Sequence, residues 1–105
     1  FIPAPLTSTM PNQRTTPEAL GLIETQGFTA VIAATDAASK AASVQVIAKE
    51  KLGGGYITVI FEGDVAAVAA AVEAGSKAAE SVGTLISGHV IARPSEGVSR
   101  ILTPL

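Results

Sequence analysis

Two rhythms of apolar residues alternate along this chain. Ala19-Leu20-Gly21-Leu22-Ile23-Glu24 is short and nearly all apolar, and reads as a buried strand. Thr25-Gln26-Gly27 follows as a turn placed to cap a helix. From Phe28 to Ala42 the period becomes helical, with Val31, Ala34, Ala38 and Ala41 on one face. Asp36 and Lys40 stand one turn apart on another face, an attractive spacing for opposite charges. Val44 to Leu52 alternates more loosely and reads as a second strand. Gly53-Gly54-Gly55 separates it from a third, Tyr56 to Phe61, which is the pattern of a hairpin. Gly63-Asp64 ends that strand, and the Asp64 carboxylate is placed to accept from the N–H groups opening the next helix.

Val65 to Val82 carries the clearest helical stripe: Val65, Val68, Val72, Gly75, Ala79 and Val82. Its small residues predict a helix lying close to a sheet. Glu73 and Lys77 repeat the charge pair of the first helix. Gly83 suits the position after the helix end. Leu85 to Ala92 reads as a fourth strand stopped by Pro94, and Ser95 is placed to cap a short terminal helix, Glu96 to Leu102. The order β-α-β-β-α-β with a short C-terminal helix is the split βαβ, ferredoxin-like pattern of the α+β class. It predicts a four-stranded antiparallel sheet with both helices on one face. The other face needs cover and the edges need pairing.

Residues 1–17 are different. Four of the six prolines lie there: Pro3, Pro5, Pro11 and Pro17. Helix and central strand are disfavoured in such a segment. The chain therefore divides into a proline-rich N-terminal extension, 1–17, and one domain, 18–105. Composition alone reads the extension as a disordered tail, but Phe1, Ile2 and Leu6 are expected to dock on a neighbouring surface.

Composition adds a reason for association. Of 105 residues, 48% are hydrophobic and 15% charged, with a mean hydropathy of +0.45. So small a domain has too little polar surface to coat itself, so other copies are expected to cover some of its apolar surface. No run approaches the ~18 apolar residues of a transmembrane helix, and no basic region followed by an apolar run marks a secretory leader. The chain has no cysteine, which excludes disulfides, thiol catalysis and cysteine-bound zinc and fits a reducing cytoplasm. The net charge is −2, and the seven basic residues, Arg14, Lys40, Lys49, Lys51, Lys77, Arg93 and Arg100, are scattered. Nucleic-acid binding needs them clustered.

Candidate chemistry is sparse. His89 is the one histidine and sits in a predicted strand without a second ligand or a catalytic partner. Glu18, Glu24, Glu50 and Glu62 could pair across strands, but nothing selects two of them as an acid/base dyad. No catalytic set, metal site or cofactor is expected. The glycine triplet precedes a strand, whereas phosphate-cradling loops precede a helix. It is either a flexible hairpin tip or a place where backbone comes close to a ligand or to other copies of the same loop. Loops meeting on a symmetry axis would border an opening lined by peptide groups. Lys40 and Arg93 read as solvated charges. The RNA-binding modules built on this fold use exposed aromatic residues on the sheet, and this chain has too few.

Four stretches carry a resemblance: Glu18 to Phe28, Lys49 to Ile60, Gly63-Asp64-Val65, and His89-Val90-Ile91-Ala92-Arg93-Pro94. In this unbroken order they resemble the hexamer-forming, single-domain shell proteins of bacterial microcompartments, over Glu18 to about Leu102. The resemblance implies the microcompartment (BMC) domain, cyclic hexamers that tile into a sheet around encapsulated enzymes, and a location in a cytoplasmic shell. It implies partners: neighbouring hexamers, other shell proteins, and small polar metabolites diffusing through a central pore. It places Lys51, Gly53, Gly54, Gly55 and Tyr56 at the pore, with the three glycines as its rim. It places Lys40, with Asp36 beside it, at the hexamer edge, and has Arg93 reach across that edge to a neighbour's backbone. Many such relatives carry serine where Gly54 stands, so a wider, less selective opening is implied here. Glu62 stands where arginine is frequent, Ala92 where proline is, and Ser95 where histidine is. The added N-terminal extension could cross the hexamer face and narrow the pore. The alternative is a ligand-binding regulatory module on an oligomeric ferredoxin-like fold, which should stop at two to four copies and gain stability from one metabolite. A third reading, an enzyme subunit completed by a partner chain, has no catalytic residues to support it.

Overall fold

The computed structural model describes residues 18–105. The expected docking of Phe1, Ile2 and Leu6 lies outside the described residues.

Strands β1 (Ala19–Gln26), β2 (Gln45–Lys51), β3 (Tyr56–Gly63) and β4 (Thr84–Ile91) alternate with helices α1 (Phe28–Ala41) and α2 (Val65–Val82) in the predicted order. A single tight helical turn, Gly53–Gly55, joins β2 to β3, and a short helix, Glu96–Ile101, follows β4. The sheet order is β2-β3-β1-β4, and every neighbouring pair is antiparallel. This is the topology expected of a split βαβ fold.

The two-residue period of the strands sorts side chains onto two faces. Ile23, Ile57, Val59 and Phe61 face the helices and form the main core with Val31, Ala34, Ala38, Val68 and Ala79. Leu20, Ala48 and Ile60 face the other way. There the chain's own C-terminal segment covers them, with Val98 and Leu102 packed on this second cluster. The segment is anchored along β2: Pro104 bridges to Ala48, the Leu105 N–H donates to the Ile47 carbonyl at 3.4 Å, and the Thr103 N–H donates to Glu50 Oε2 at 2.9 Å. The far face thus gains its cover, and part of the β2 edge is paired.

Helix α2 starts where its cap was expected, with Asp64 Oδ1 accepting from the Ala67 N–H at 2.8 Å. Its small stripe allows very close packing on α1. A Cβ added to Gly75 would lie 2.6 Å from Ile23 Cδ1 and 2.8 Å from the Ala34 carbonyl oxygen. The closest obstacle on α1 is therefore backbone, which cannot swing away.

Several local expectations change. Thr25 and Gln26 belong to β1, leaving Gly27 alone as the corner. The buried Thr25 instead donates its hydroxyl to the Gly27 carbonyl at 3.1 Å. Ala41, Val65 and Val82 were expected on buried stripes but are exposed. They stand at helix ends, while Ala30 and Ala71 are buried in addition to the rest of the predicted stripes. Gly83 is extended rather than left-handed, and its N–H still closes the helix on the Ala79 carbonyl at 2.9 Å. Ser95 precedes the terminal helix but makes no side-chain cap.

Candidate functional site

The link between β2 and β3 is an exposed knuckle, from Lys51 to Tyr56. Gly54 has φ 77° and Gly55 φ 84°, and Gly27, at the neighbouring corner, has φ 106°. An L side chain in the left-handed region costs roughly 1–2 kcal/mol per residue, so this loop needs glycine for its shape. It is not the flexible tip that is one reading of three glycines. The Gly27 N–H donates to the Gly55 carbonyl at 2.8 Å, and the Leu52 N–H to the Tyr56 carbonyl at 2.9 Å. Gln26 Nε2 donates to the Gly54 carbonyl at 3.2 Å. The knuckle is thus fastened to the corner between β1 and α1. Gln26 and Gly27, which sequence reasoning assigned to a turn, hold the knuckle in place. The signal for them was a glycine standing between a strand and a helix with the wrong chemistry for a cap.

The charged candidates lie at the other end of the subunit. Gln26 pairs with Tyr56 and Thr84, so the knuckle is at the Gln26 end of the sheet. Helix α1 runs back from that end, and Leu20 pairs with Ile91 at the opposite one. Lys40, in the last turn of α1, and Arg93, two residues past β4, therefore share the pole remote from the glycines. Lys40 Nζ lies 2.9 Å from Asp36 Oδ2, with the two side chains 75% and 60% exposed. Such a pair stabilises a helix by a few tenths of a kcal/mol at most, about 0.3–0.5 before solvent screening. The fold does not depend on it. Arg93 is exposed and makes no hydrogen bond or ion pair to another described residue.

Exposed apolar side chains run along the subunit, Phe28 and Val82 near the knuckle end, Ile32 further along α1, and Val65 near the other end. Phe28 is 60% exposed, Ile32 52%, and Val65 and Val82 each 51%. Among the described residues, the eight-residue strand β4 is an edge strand paired with β1 alone. Unpaired N–H and C=O groups beside exposed apolar side chains favour association with another chain.

Of the remaining candidates, Glu18 and Glu62 line one groove beside the C-terminal segment, and the others lie apart. His89 is exposed on β4 opposite Leu22. Glu24 and Glu50 both stand beside Thr58, from opposite sides of β3. Two strand spacings, roughly 10 Å, therefore separate their backbones, and the Glu50 carboxylate is already held by Thr103. Among the described residues, no three of His, Cys, Asp or Glu gather as metal ligands, and no helix is long and apolar enough to cross a membrane.

Comparison with known proteins is informative at this point. The BMC domain matches residues 19–94. The chain is 52% identical over 85 residues to the bacterial microcompartment shell protein PduA of Citrobacter freundii, covering 81% of this chain and 91% of that protein. It is 50% identical over 86 residues to the carboxysome shell protein CsoS1A of Hydrogenovibrio crunogenus, covering 81% and 90%. A crystal structure of a microcompartment protein from Desulfitobacterium hafniense superposes with a TM-score of 0.74 at 36% identity. That match covers 83% of this chain and 49% of the other, so the chain spans about half of that solved protein.

Proposed function

The chain belongs to the BMC-domain family of bacterial microcompartment shell proteins, and from that premise we propose that six copies close into a ring whose glycine knuckles meet at the axis. Its role is structural: it is a shell subunit that assembles with other shell proteins in a cytoplasmic microcompartment, and not an enzyme. The ring, its tiling and its pore are the further reading.

The carrying observation is the polar separation of the two site candidates. The knuckle Lys51–Tyr56 projects at one end of the subunit, Lys40, Asp36 and Arg93 at the other, and exposed apolar side chains run from end to end beside a strand edge that is open among the described residues. A wedge of that design is satisfied on both flanks when copies repeat around an axis. Its inner tip then lines an opening and its outer rim meets the next ring. Arg93 presents a planar fork of donors suited to carbonyl oxygens on a neighbouring ring, a geometry lysine does not reproduce. Lys40 and Asp36 lie beside it on the rim.

The pore's selectivity follows from what the knuckle exposes. The carbonyls of Gly54 and Gly55 are engaged by Gln26 and Gly27, so two acceptors per subunit are withdrawn from the rim. Six copies of Lys51 add positive charge. The opening favours small polar and anionic metabolites exchanged with encapsulated enzymes, and disfavours apolar ones. The named relatives are shell proteins, which favours this reading over a regulatory module.

Flux of a small anionic solute through assembled shells tests it. Gly54→Asn adds a side chain at the rim in a backbone region that asparagine tolerates, and the expected result is slower exchange through intact shells. Unchanged exchange through shells of normal appearance contradicts the pore.

A further inference from the structure

We propose that Tyr56 is the positioning residue of the knuckle: its ring braces Gly54, and that brace sets the size limit of the opening. The inference rests on the proposed ring of subunits and deepens it.

Three consecutive glycines make a loop that wanders unless it is held, because each has more conformational freedom to lose on ordering than any other residue. The exposed bond from Gln26 Nε2 to the Gly54 carbonyl, at 3.2 Å, competes with water and holds weakly alone. The ring of Tyr56 supplies a second hold. Its Cδ2 and Cε2 stand 3.4 Å from where a Cβ on Gly54 would lie, so the ring fills the space beside that glycine. Ile57 points into the main core, so its neighbour Tyr56 points to the helix-free face of the sheet. Gln26 pairs with Tyr56 across the strands and shares that face. Gly54 is thereby clasped by two side chains that the sheet itself keeps in register. The Tyr56 backbone is fixed as well, its carbonyl accepting from the Leu52 N–H at 2.9 Å.

Tyr56 is 37% exposed, and its hydroxyl makes no hydrogen bond to another described residue. The hold on Gly54 is made by ring carbons, and phenylalanine offers the same carbons. Around an axis, each brace keeps one glycine tip at a fixed radius. Without it the tips swing aside and larger solutes pass.

Shells assembled from the full chain test this with two carboxylates of equal charge and different size, acetate and gluconate. Tyr56→Ala should raise the gluconate-to-acetate flux ratio roughly threefold, while Tyr56→Phe keeps the parent's ratio. The amides of Gly27 and Leu52 donate into the knuckle. They should exchange about tenfold faster in Tyr56→Ala and at the parent's rate in Tyr56→Phe. An unchanged ratio in intact Tyr56→Ala shells overturns the brace, and so does Tyr56→Phe behaving like Tyr56→Ala. The opening itself is judged separately. If Gly54→Asn slows acetate while Tyr56→Ala leaves the ratio unchanged, the opening stands and the brace falls. A second measurement needs no variant. Tyr56 is the one tyrosine and the chain has no tryptophan, so tyrosine emission reports the knuckle alone. Acrylamide should quench it severalfold less in the full chain than in a free peptide of residues 51–58. Equal quenching contradicts the contact.

Discussion

Gly54 gives the sharpest test of how the knuckle is built. Its φ of 77° and ψ of 15° lie in the left-handed region. A Cβ added there would sit 3.4 Å from Tyr56 Cδ2 and Cε2, an ordinary contact rather than a clash. The cost of a side chain is therefore backbone strain. For Gly54→Ala that cost is about 1–2 kcal/mol. For Gly54→Asn it is smaller, because asparagine is enriched in this region. In a domain of this size each kcal/mol moves the melting temperature by about 4–8 °C. Thermal unfolding of the parent and both variants, at one protein concentration because association shifts the midpoint, should rank them parent, Asn, Ala. Native mass spectrometry on the same samples checks that their assembly state is unchanged. If Ala melts with the parent, or Asn melts below Ala, the loop does not have the left-handed form, and the argument from glycine fails. The ranking also fixes the meaning of a flux measurement. A Gly54→Asn shell that is stable but slow to exchange owes its slowness to the narrowed opening.

Other outcomes follow from named contacts. Gly75→Ala gains about 1 kcal/mol of helix propensity but drives a methyl group against the Ala34 carbonyl oxygen at 2.8 Å. Overpacking typically costs 1–3 kcal/mol, so a net loss is expected in chemical unfolding, and a stabilised variant would refute the close helix contact. Asp64→Ala removes the acceptor for the Ala67 N–H and should lower stability by about 1 kcal/mol, against a few tenths for Asp64→Gly, in the same assay. Gln26→Ala deletes the bond that holds the Gly54 carbonyl. It should speed amide exchange across Gly53–Tyr56 while leaving β1 protected, and unchanged exchange means that the bond does not fasten the loop. Arg93→Ala should leave rings intact but weaken their association into flat arrays on electron-microscope grids. Arrays as extensive as the parent's would remove Arg93 from the edge.

The fold was legible where periodicity was strong. Val65 to Val82 reads as a helix because its stripe persists over five turns, and its capping aspartate stands where a cap is needed. The strands read correctly because the glycine triplet and Pro94 break the pattern at chemically distinct points. Legibility was poorer where tertiary contacts decide. Thr25-Gln26 has turn-like composition, yet pairing with Thr84, Leu85, Tyr56 and Ile57 keeps both residues in the strand. Ala41, Val65 and Val82 sit on the right helical period, but at helix ends beyond the reach of the sheet. The cover of the far face could not be read at all. The demand for it was visible, but the hold of Glu50 on Thr103 spans 53 residues and leaves no local trace. For the site, chemistry identified the glycines alone. Composition reads Lys40 and Arg93 as idle charges, and the proposed edge role rests only on the family resemblance and on their shared position at one pole.

The central claim is that six subunits surround the glycine knuckles. Native mass spectrometry of the full chain, followed by electron-microscope averaging of the same sample, tests it directly. The expected result is a mass of six chains and a disc with six-fold symmetry, its narrow opening bordered by Gly53–Gly55. A persistent monomer or dimer, or a ring with those glycines on its outer circumference, contradicts it.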